Sequence, residues 1–168
     1  MIHVCPLSRL EETVTRTGAA HVLSVINLGT PVPVPASVAR DNHLFVGFND
    51  IVAPQEGLIH PAAEHVDAIL GFARRWPREA PLVVHCYAGI SRSTASAYIA
   101  ACALSPERDE GELARALRAA SPIATPNALL VALADAALGR RGRMVAAVAA
   151  IGRGREAMEN EPFEIRLD

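Results

Sequence analysis

Apolar residues follow two kinds of pattern along this chain. Short runs rich in β-branched residues predict buried strands, whereas stretches with an apolar residue at every third or fourth position predict helices with one buried face. The strand pattern occurs at residues 2–5, 21–28 and 44–48, and in a run that begins at Pro81. Between the last two strands, residues 58–76 carry the helical pattern, so this part of the chain predicts a strand, a helix and a parallel strand.

Helical patterns also precede and follow these strands. They cover residues 7–17, 92–103, 110–119, 127–138 and 144–158. The helix predicted at 92–103 is apolar on nearly every side, so we expect it to be buried. The last segment, 162–168, reads PFEIRLD and is consistent with either an edge strand or a loose tail.

The order of these elements predicts the fold class. Strands alternate with helices at first and a run of helices follows, which favours an α/β fold with a central, mainly parallel sheet, flanking helices and a helical C-terminal half. A length of 168 residues suits one domain, 1–168. We place its core at about 22–138 and a C-terminal helix and tail at 139–168. The proline-rich segment 30–42 predicts a surface loop, which either borders a substrate cleft or simply connects two strands.

Composition narrows the choice of partners. The net charge is −2 and all sixteen basic residues are arginine, so we expect no nucleic-acid partner. The sequence contains neither a signal-like start nor an apolar run of eighteen residues, which predicts a cytoplasmic protein without a membrane partner. His60 and His65 flank Glu64 in one predicted helix, but they lie five positions apart and not the four of a helical zinc-binding pair, so we interpret them as solvated and expect no metal.

The chemistry concentrates in the loop between the fourth strand and the next helix, HCYAGISRS at residues 85–93. A helix N-terminus presents unpaired amides and a partial positive charge, which suits a bound dianion. Arg92 adds a bidentate donor for two phosphate oxygens. The six backbone amides that we expect to encircle one phosphoryl group belong to Tyr87, Ala88, Gly89, Ile90, Ser91 and Arg92.

Cys86 lies at the centre of this predicted anion site. Thiols at helix N-termini beside a cation ionise readily, so we expect Cys86 to be a thiolate and a nucleophile directed at phosphorus. We expect His85 to fix the loop through hydrogen bonds to backbone carbonyls and to contribute to the field at the thiol. Ser93 is placed to donate its hydroxyl to the Cys86 sulfur when a phosphocysteine breaks down.

These residues carry a resemblance to a known family. HCYAGISRS resembles the HCxxGxxR[ST] phosphate loop of the cysteine-dependent protein tyrosine phosphatase superfamily, and its AGxSRS form is most similar to the dual-specificity branch. Thr125, Pro126 and Asn127 resemble the SPN segment of those enzymes, with Thr in place of Ser. The resemblance implies a protein tyrosine phosphatase-like fold and a supporting role for Asn127.

Members of this family use an aspartic acid upstream of the cysteine as general acid, because the leaving oxygen needs a proton as its bond to phosphorus breaks. Two aspartic acids in predicted loops precede Cys86. Asp41 comes before the third strand, which places it about 20 Å from the carboxyl edge where ligands bind in parallel sheets. Asp50 follows that strand and is our predicted acid, although Asn49, Asp50 and Ile51 do not reproduce the WPD triplet of classical tyrosine phosphatases.

The predicted function is therefore hydrolysis of phosphomonoesters through a phosphocysteine by a protein tyrosine or dual-specificity phosphatase. Substrates would be phosphorylated proteins or small phosphomonoesters, ligands would include phosphate and vanadate, and no cofactor is expected. One alternative is a noncatalytic phosphate-binding module. Another is a rhodanese or arsenate reductase-type enzyme, which the position of the loop in mid-chain disfavours.

Two further features have simpler interpretations than a catalytic one. Cys102 could resolve an oxidised Cys86, but its place on the apolar helix favours core packing. Several arginines bracket the apolar run near the C-terminus, and we interpret them as solvated helix ends rather than as a site for an anionic partner. They are Arg140, Arg141, Arg143, Arg153 and Arg155.

Overall fold

The computed structural model describes residues 1–167 and contains a five-stranded sheet with helices on both faces. Asp168, the last residue of the predicted C-terminal segment, lies outside the described residues. The strands are β1 (Ile2–Pro6), β2 (His21–Ile26), β3 (His43–Gly47), β4 (Leu82–Cys86) and β5 (Phe163–Ile165). The α-helices are α1 (Leu10–Thr17), α2 (Ala63–Arg75), α3 (Arg92–Leu104), α4 (Glu110–Ala120), α5 (Ala128–Ala137) and α6 (Arg143–Ile151).

The strands lie in the order β3-β2-β4-β1-β5, and the first four run parallel. This confirms the predicted α/β class with a mainly parallel sheet. The C-terminal segment forms an edge strand, because β5 pairs antiparallel with β1, Ile2 lying opposite Ile165. Two of the five strands therefore come from outside residues 22–138. β3 and β4 are parallel as predicted, but β2 lies between them in the sheet.

Each face of the sheet buries its own apolar cluster. The smaller cluster joins the outward face of β1, β2 and β4 to α1 through Leu10 and Val14. The larger one fills the space between the sheet and helices α2 to α6. Within it, α3 is buried from Arg92 to Cys102, as its all-round apolar pattern predicts. This rigid helix fixes the direction in which the loop before it faces.

Two helices are shorter than their apolar patterns suggest. α2 begins at Ala63 rather than at residue 58, because Pro61 restricts the residue before it to extended backbone. At the start of α2, the Ala62 N–H donates to His65 Nδ1 at 3.0 Å, so this histidine caps a helix rather than facing solvent alone. α6 ends at Ile151 and not at residue 158, since Gly152 adopts a positive φ of 64°.

One of the arginines near the C-terminus is not solvated. Arg140 is 11% exposed at its side chain and pairs with Glu110 at 3.0 Å. It also donates to the Cys102 carbonyl at 2.8 Å, so it joins the end of α3 to the start of α4. The interpretation as a free helix end is therefore wrong for Arg140, whereas Arg153 is 77% exposed. Within residues 1–167, no helix is long and apolar enough to cross a membrane; the cytoplasmic location stays a prediction.

Candidate active site

The loop between β4 and α3 lies at the carboxyl edge of the parallel strands. β4 ends at Cys86, which is 2% exposed, and α3 begins at Arg92. Gly89 lies where the loop turns against the end of β1: its φ is +71°, and a Cβ there would come within 2.8 Å of the Pro6 nitrogen. Only glycine fits this combination of backbone angle and close approach.

The carbonyls of this loop all point outward. From Tyr87 to Ser91, each backbone oxygen accepts at least one hydrogen bond from a residue outside the 86–92 loop. Because a trans peptide directs its C=O and N–H to opposite sides, outward carbonyls direct the amides toward the centre. The donors that face the loop from the rest of the chain include Leu7, Thr94, Thr125, Asn127 and Asn160.

The sulfur of Cys86 lies within this ring of amides. The Gly89 N–H donates to Sγ at 3.2 Å, and the Ser93 hydroxyl lies 3.1 Å from the same atom. Ser93 is fully buried in the first turn of α3. The predicted pairing of Ser93 with the Cys86 sulfur is therefore present in the geometry.

Arg92 is held along one edge of its guanidinium group. Nη1 donates to Asn27 Oδ1 at 2.5 Å and to the Phe48 carbonyl at 2.6 Å. The Nε atom is buried and has no hydrogen-bond partner within residues 1–167, in a residue that is only 5% exposed. An unpaired buried donor is costly. A phosphate oxygen would satisfy it, and the Nε–Nη2 edge has the geometry for two such oxygens.

His85 is held mainly by a side chain rather than by backbone carbonyls. Its Nε2 lies 2.6 Å from Ser24 Oγ, and its Nδ1 makes only a long contact of 3.4 Å with the Cys86 carbonyl. Ser24 Oγ also lies 2.9 Å from His43 Nε2. Because a carbonyl only accepts, we place a proton on His85 Nδ1, so that Ser24 donates to His85 and accepts from His43.

Burial lowers the pKa of His85 to about 4, with smaller effects from its bond to the Cys86 carbonyl and from nearby His43. The ring is fully buried and therefore neutral near pH 7. The predicted contribution of His85 to the field at the thiol would therefore have to come from a neutral imidazole, and it stays a prediction. The direct link between His85 and Cys86 is the 3.4 Å contact of His85 Nδ1 with the Cys86 carbonyl.

Asp50 is attached to the loop by two hydrogen bonds to one oxygen. The Ser91 hydroxyl donates to Oδ1 at 2.7 Å and Asn127 Nδ2 donates to the same atom at 2.8 Å. Asn127 also caps α5 by accepting from the Leu130 N–H at 3.0 Å, which fixes the orientation of its amide. Asp41 lies at the opposite, amino edge of the sheet, as the direction of β3 predicts.

A cleft of about 470 Å³ lies beside Arg92 and Asp50. Thr30 lines it, so the predicted 30–42 loop borders this cleft at its first residue, and Ile51 lines it beside Asp50. Tyr87, which is 68% exposed, stands at its rim. A larger apolar groove of about 970 Å³ meets the other side of the loop at Ile90 and Ser91, but it contains neither the arginine nor the acid.

The other cysteines are structural. Burial raises the pKa of both Cys5 and Cys102 to about 12, so both are thiols near neutral pH. Cys102 lies ten residues beyond Arg92 in α3, about 15 Å along the helix axis, which takes it away from Cys86. Across residues 1–167, no three His, Cys, Asp or Glu side chains are close enough together to hold a metal ion.

Three residues at this site are absent from the sequence-based prediction. Asn27 holds Arg92, Ser24 holds His85 and Asn160 donates to the Ala88 and Gly89 carbonyls. Asn27 was missed because the predicted strand 21–28 contains it, whereas β2 ends at Ile26 and leaves Asn27 at the edge where ligands bind. Asn160 had no detectable signal, because no sequence pattern connects it to a loop about seventy residues earlier.

Comparison with known proteins places this geometry in a familiar fold. No protein-family model matches the sequence, and no curated protein matches it. Human DUSP28 superposes with a TM-score of 0.64 at 17% identity, covering 83% of this chain and 89% of that one. The Cydia pomonella PTP-2 phosphatase superposes with a TM-score of 0.63 at 16% sequence identity, covering 80% of this chain and 84% of that one. A mouse protein described as a dual-specificity phosphatase complexed with zinc tungstate superposes with a TM-score of 0.57 at 20% sequence identity, covering 87% of this chain and 84% of that one.

Each of these neighbours is similar to this chain in its backbone, at identities too low to transfer an activity. The superposed part amounts to at least four fifths of this chain in all three cases. The chain therefore has the fold seen in these dual-specificity phosphatase structures.

Proposed function

We propose that this protein hydrolyses phosphomonoesters through a phosphocysteine at Cys86. The single observation that carries the proposal is the convergence around one sulfur atom of inward-facing amides and the unpaired edge of Arg92, beside a carboxyl group. A phosphoryl group would accept hydrogen bonds from the amides and from Arg92. Its phosphorus would then lie above the Cys86 sulfur.

In the first step, the Cys86 thiolate attacks phosphorus in line with the ester oxygen. The S–P bond forms as the P–O bond breaks, and the leaving oxygen takes a proton from Asp50. Oδ2 of Asp50 makes no hydrogen bond within residues 1–167, since Ser91 and Asn127 both bind Oδ1. This oxygen is the one that would carry the proton.

In the second step, water attacks the phosphocysteine. Asp50, now a carboxylate, accepts a proton from the water as the new P–O bond forms and the S–P bond breaks. The Ser93 hydroxyl, 3.1 Å from Sγ, donates to the leaving thiolate and stabilises it. Inorganic phosphate leaves, and Asp50 and Cys86 return to their starting states.

We propose phosphorylated proteins as the substrate class, with phosphotyrosine and phosphoserine side chains as the reacting groups. The cleft beside Arg92 is open at Tyr87 and Leu58, which are 68% and 41% exposed, so an extended peptide can lie across it. Binding of oxyanions fits the same site, and the mouse structural neighbour is described in complex with tungstate.

The experiment is a side-by-side assay with p-nitrophenyl phosphate, phosphopeptides, thiosulfate and arsenate, using wild-type protein and a Cys86→Ser variant. Phosphate release by the wild type alone, with little reaction of thiosulfate or arsenate, is the expected result. Substantial phosphatase activity in Cys86→Ser would overturn the proposed mechanism. Phosphate binding without any turnover would instead favour the noncatalytic binding module, and reaction with thiosulfate or arsenate the sulfur- or arsenate-transfer enzyme.

A further inference from the structure

We infer that Asn160 is a positioning residue for the 86–92 loop, and this inference rests on the proposed role of that loop in binding phosphate. Asn160 lies two residues after the exposed Met158, in the segment between α6 and β5. Its backbone N–H donates to the Ala88 carbonyl at 2.9 Å, and its Nδ2 donates to the Gly89 carbonyl at 2.9 Å.

These two bonds set the direction of two amides in the loop. The Ala88 carbonyl shares a peptide with the Gly89 N–H, which donates to the Cys86 sulfur. The Gly89 carbonyl shares a peptide with the Ile90 N–H. Because a trans peptide is planar, with its C=O and N–H on opposite sides, holding both carbonyls outward directs both amides inward.

The orientation of the Asn160 side chain is unambiguous. A backbone carbonyl can only accept, so the atom facing Gly89 must be the amide nitrogen. Ser121 Oγ contacts both ends of the same amide, at 2.9 Å from Nδ2 and 3.1 Å from Oδ1. Asn160 is 6% exposed and Ser121 is 2% exposed, so neither group has ready access to water as a substitute.

The segment that carries Asn160 is itself fixed against the residues before α5. The Gly154 N–H donates to Thr125 Oγ1 at 3.1 Å, and the Arg155 N–H donates to the Pro122 carbonyl at 3.0 Å. A Cβ on Gly154 would lie 2.5 Å from the Ile123 carbonyl carbon, so the two backbones are in close contact. After Asn160, β5 pairs with β1, whose end touches Gly89.

The test measures binding of inorganic phosphate and vanadate, which does not depend on turnover. Asn160→Ala keeps the backbone donor to Ala88 and removes the side-chain donor to Gly89, together with the contacts to Ser121. We expect about tenfold weaker anion binding, the effect of one buried hydrogen bond at a charged site. Asn160→Asp keeps the shape but cannot donate to Gly89, and its charge opposes the anion, so we expect a larger loss. Met158→Ala, at a side chain that is 96% exposed, is the matched control and should bind like wild type.

Thermal unfolding of each variant separates positioning from stability. Should Asn160→Ala fail to fold, Ser121→Ala loosens the same amide from the other side and should weaken anion binding less severely. Anion binding that is unchanged in folded Asn160→Ala, or in folded Ser121→Ala where the first variant does not fold, overturns the inference. Weaker anion binding in Asn160→Ala with no phosphatase activity in the wild type would support the positioning role while the proposed function fails. Absence of anion binding in the wild type would overturn both.

Discussion

The Ser91 hydroxyl donates a 2.7 Å hydrogen bond to Asp50 Oδ1 and so joins the loop that would bind phosphate to the side chain that would supply the proton. Asn127, at the start of α5, donates to the same oxygen. Three separate parts of the chain therefore meet at one carboxylate oxygen. The position of the acid depends on the shape of the loop, and this dependence can be measured.

We predict that Ser91→Ala lowers kcat by about tenfold for phosphoserine peptides and less for p-nitrophenyl phosphate, whose leaving group needs little protonation. Asp50→Asn should also lower kcat more for phosphoserine peptides than for p-nitrophenyl phosphate, and both losses should be larger than in Ser91→Ala. In the double variant Ser91→Ala/Asp50→Asn, the serine substitution should add almost nothing, because its effect acts through the acid. Additive losses in this cycle would show that Ser91 acts on something other than Asp50.

Asn27→Ala should weaken phosphate and vanadate binding by about tenfold or more, since it removes a charge-assisted hydrogen bond that orients Arg92. The measurement is the inhibition constant of vanadate together with the KM for p-nitrophenyl phosphate. Leu28→Ala, at a neighbouring side chain that is 69% exposed, should leave both constants unchanged. An Asn27→Ala variant with wild-type vanadate inhibition would contradict the orienting role.

Ser93→Ala should slow the breakdown of the phosphocysteine more than its formation, because the hydroxyl stabilises the departing thiolate. We expect kcat to fall roughly ten- to hundredfold and a burst of nitrophenol to precede the steady state. Ser96→Ala is the matched control in the same buried helix, where the hydroxyl donates to the Arg92 carbonyl instead. The measurement is rapid-mixing kinetics. If Ser93→Ala shows no burst and keeps the wild-type kcat, Ser93 does not stabilise the departing thiolate.

The low pKa of His85 predicts how stability depends on pH. In the folded state its pKa is about 4, against an ordinary value of 6.5, so the unfolded chain binds a proton first as the pH falls. Above pH 6.5 the His85 ring is neutral in both the folded and the unfolded protein, so the free energy of unfolding does not depend on this group. As the pH falls from 6.5 toward 4, only the unfolded chain gains the proton, and the free energy of unfolding decreases. By pH 5 this group alone should cost roughly 2 kcal/mol of the free energy of unfolding.

The comparison is between wild type and His85→Asn, unfolded with urea at pH 7.5, 6 and 5. The variant lacks this titration, so the difference in stability between the two proteins should shrink as the pH falls. Parallel curves would show that His85 is not the group responsible. The same decrease in both proteins would then belong to the other histidines with lowered pKa, such as His43.

The sequence predicted the strand, loop and helix around Cys86 because each has a strong local signal: a β-branched run, a glycine and a helix that is apolar on all sides. It also separated Asp50 from Asp41, since strand direction alone places them at opposite edges of the sheet. These conclusions depend on patterns within short stretches of chain and on the rule that ligands bind at the carboxyl edge of parallel strands.

The contacts that orient the site residues could not be predicted from the sequence. Asn27 was assigned to the interior of a strand that in fact ends at Ile26, and Asn160 was assigned to a helix margin or tail. Each acts through hydrogen bonds to residues far away in the chain, and such bonds leave no periodic pattern in the sequence. The neutral state of His85 was also hidden, because it depends on complete burial rather than on the residues beside it.

The most direct test of the proposed mechanism is a single-turnover reaction with a phosphoryl-labelled substrate, stopped by rapid denaturation at neutral to alkaline pH and analysed for label on the protein. We predict a transient phosphocysteine at Cys86 that appears with the leaving group, accumulates in Ser93→Ala and is absent in Cys86→Ser. Release of the leaving group at the wild-type rate by Cys86→Ser, or turnover by the wild type without label at Cys86, would contradict it.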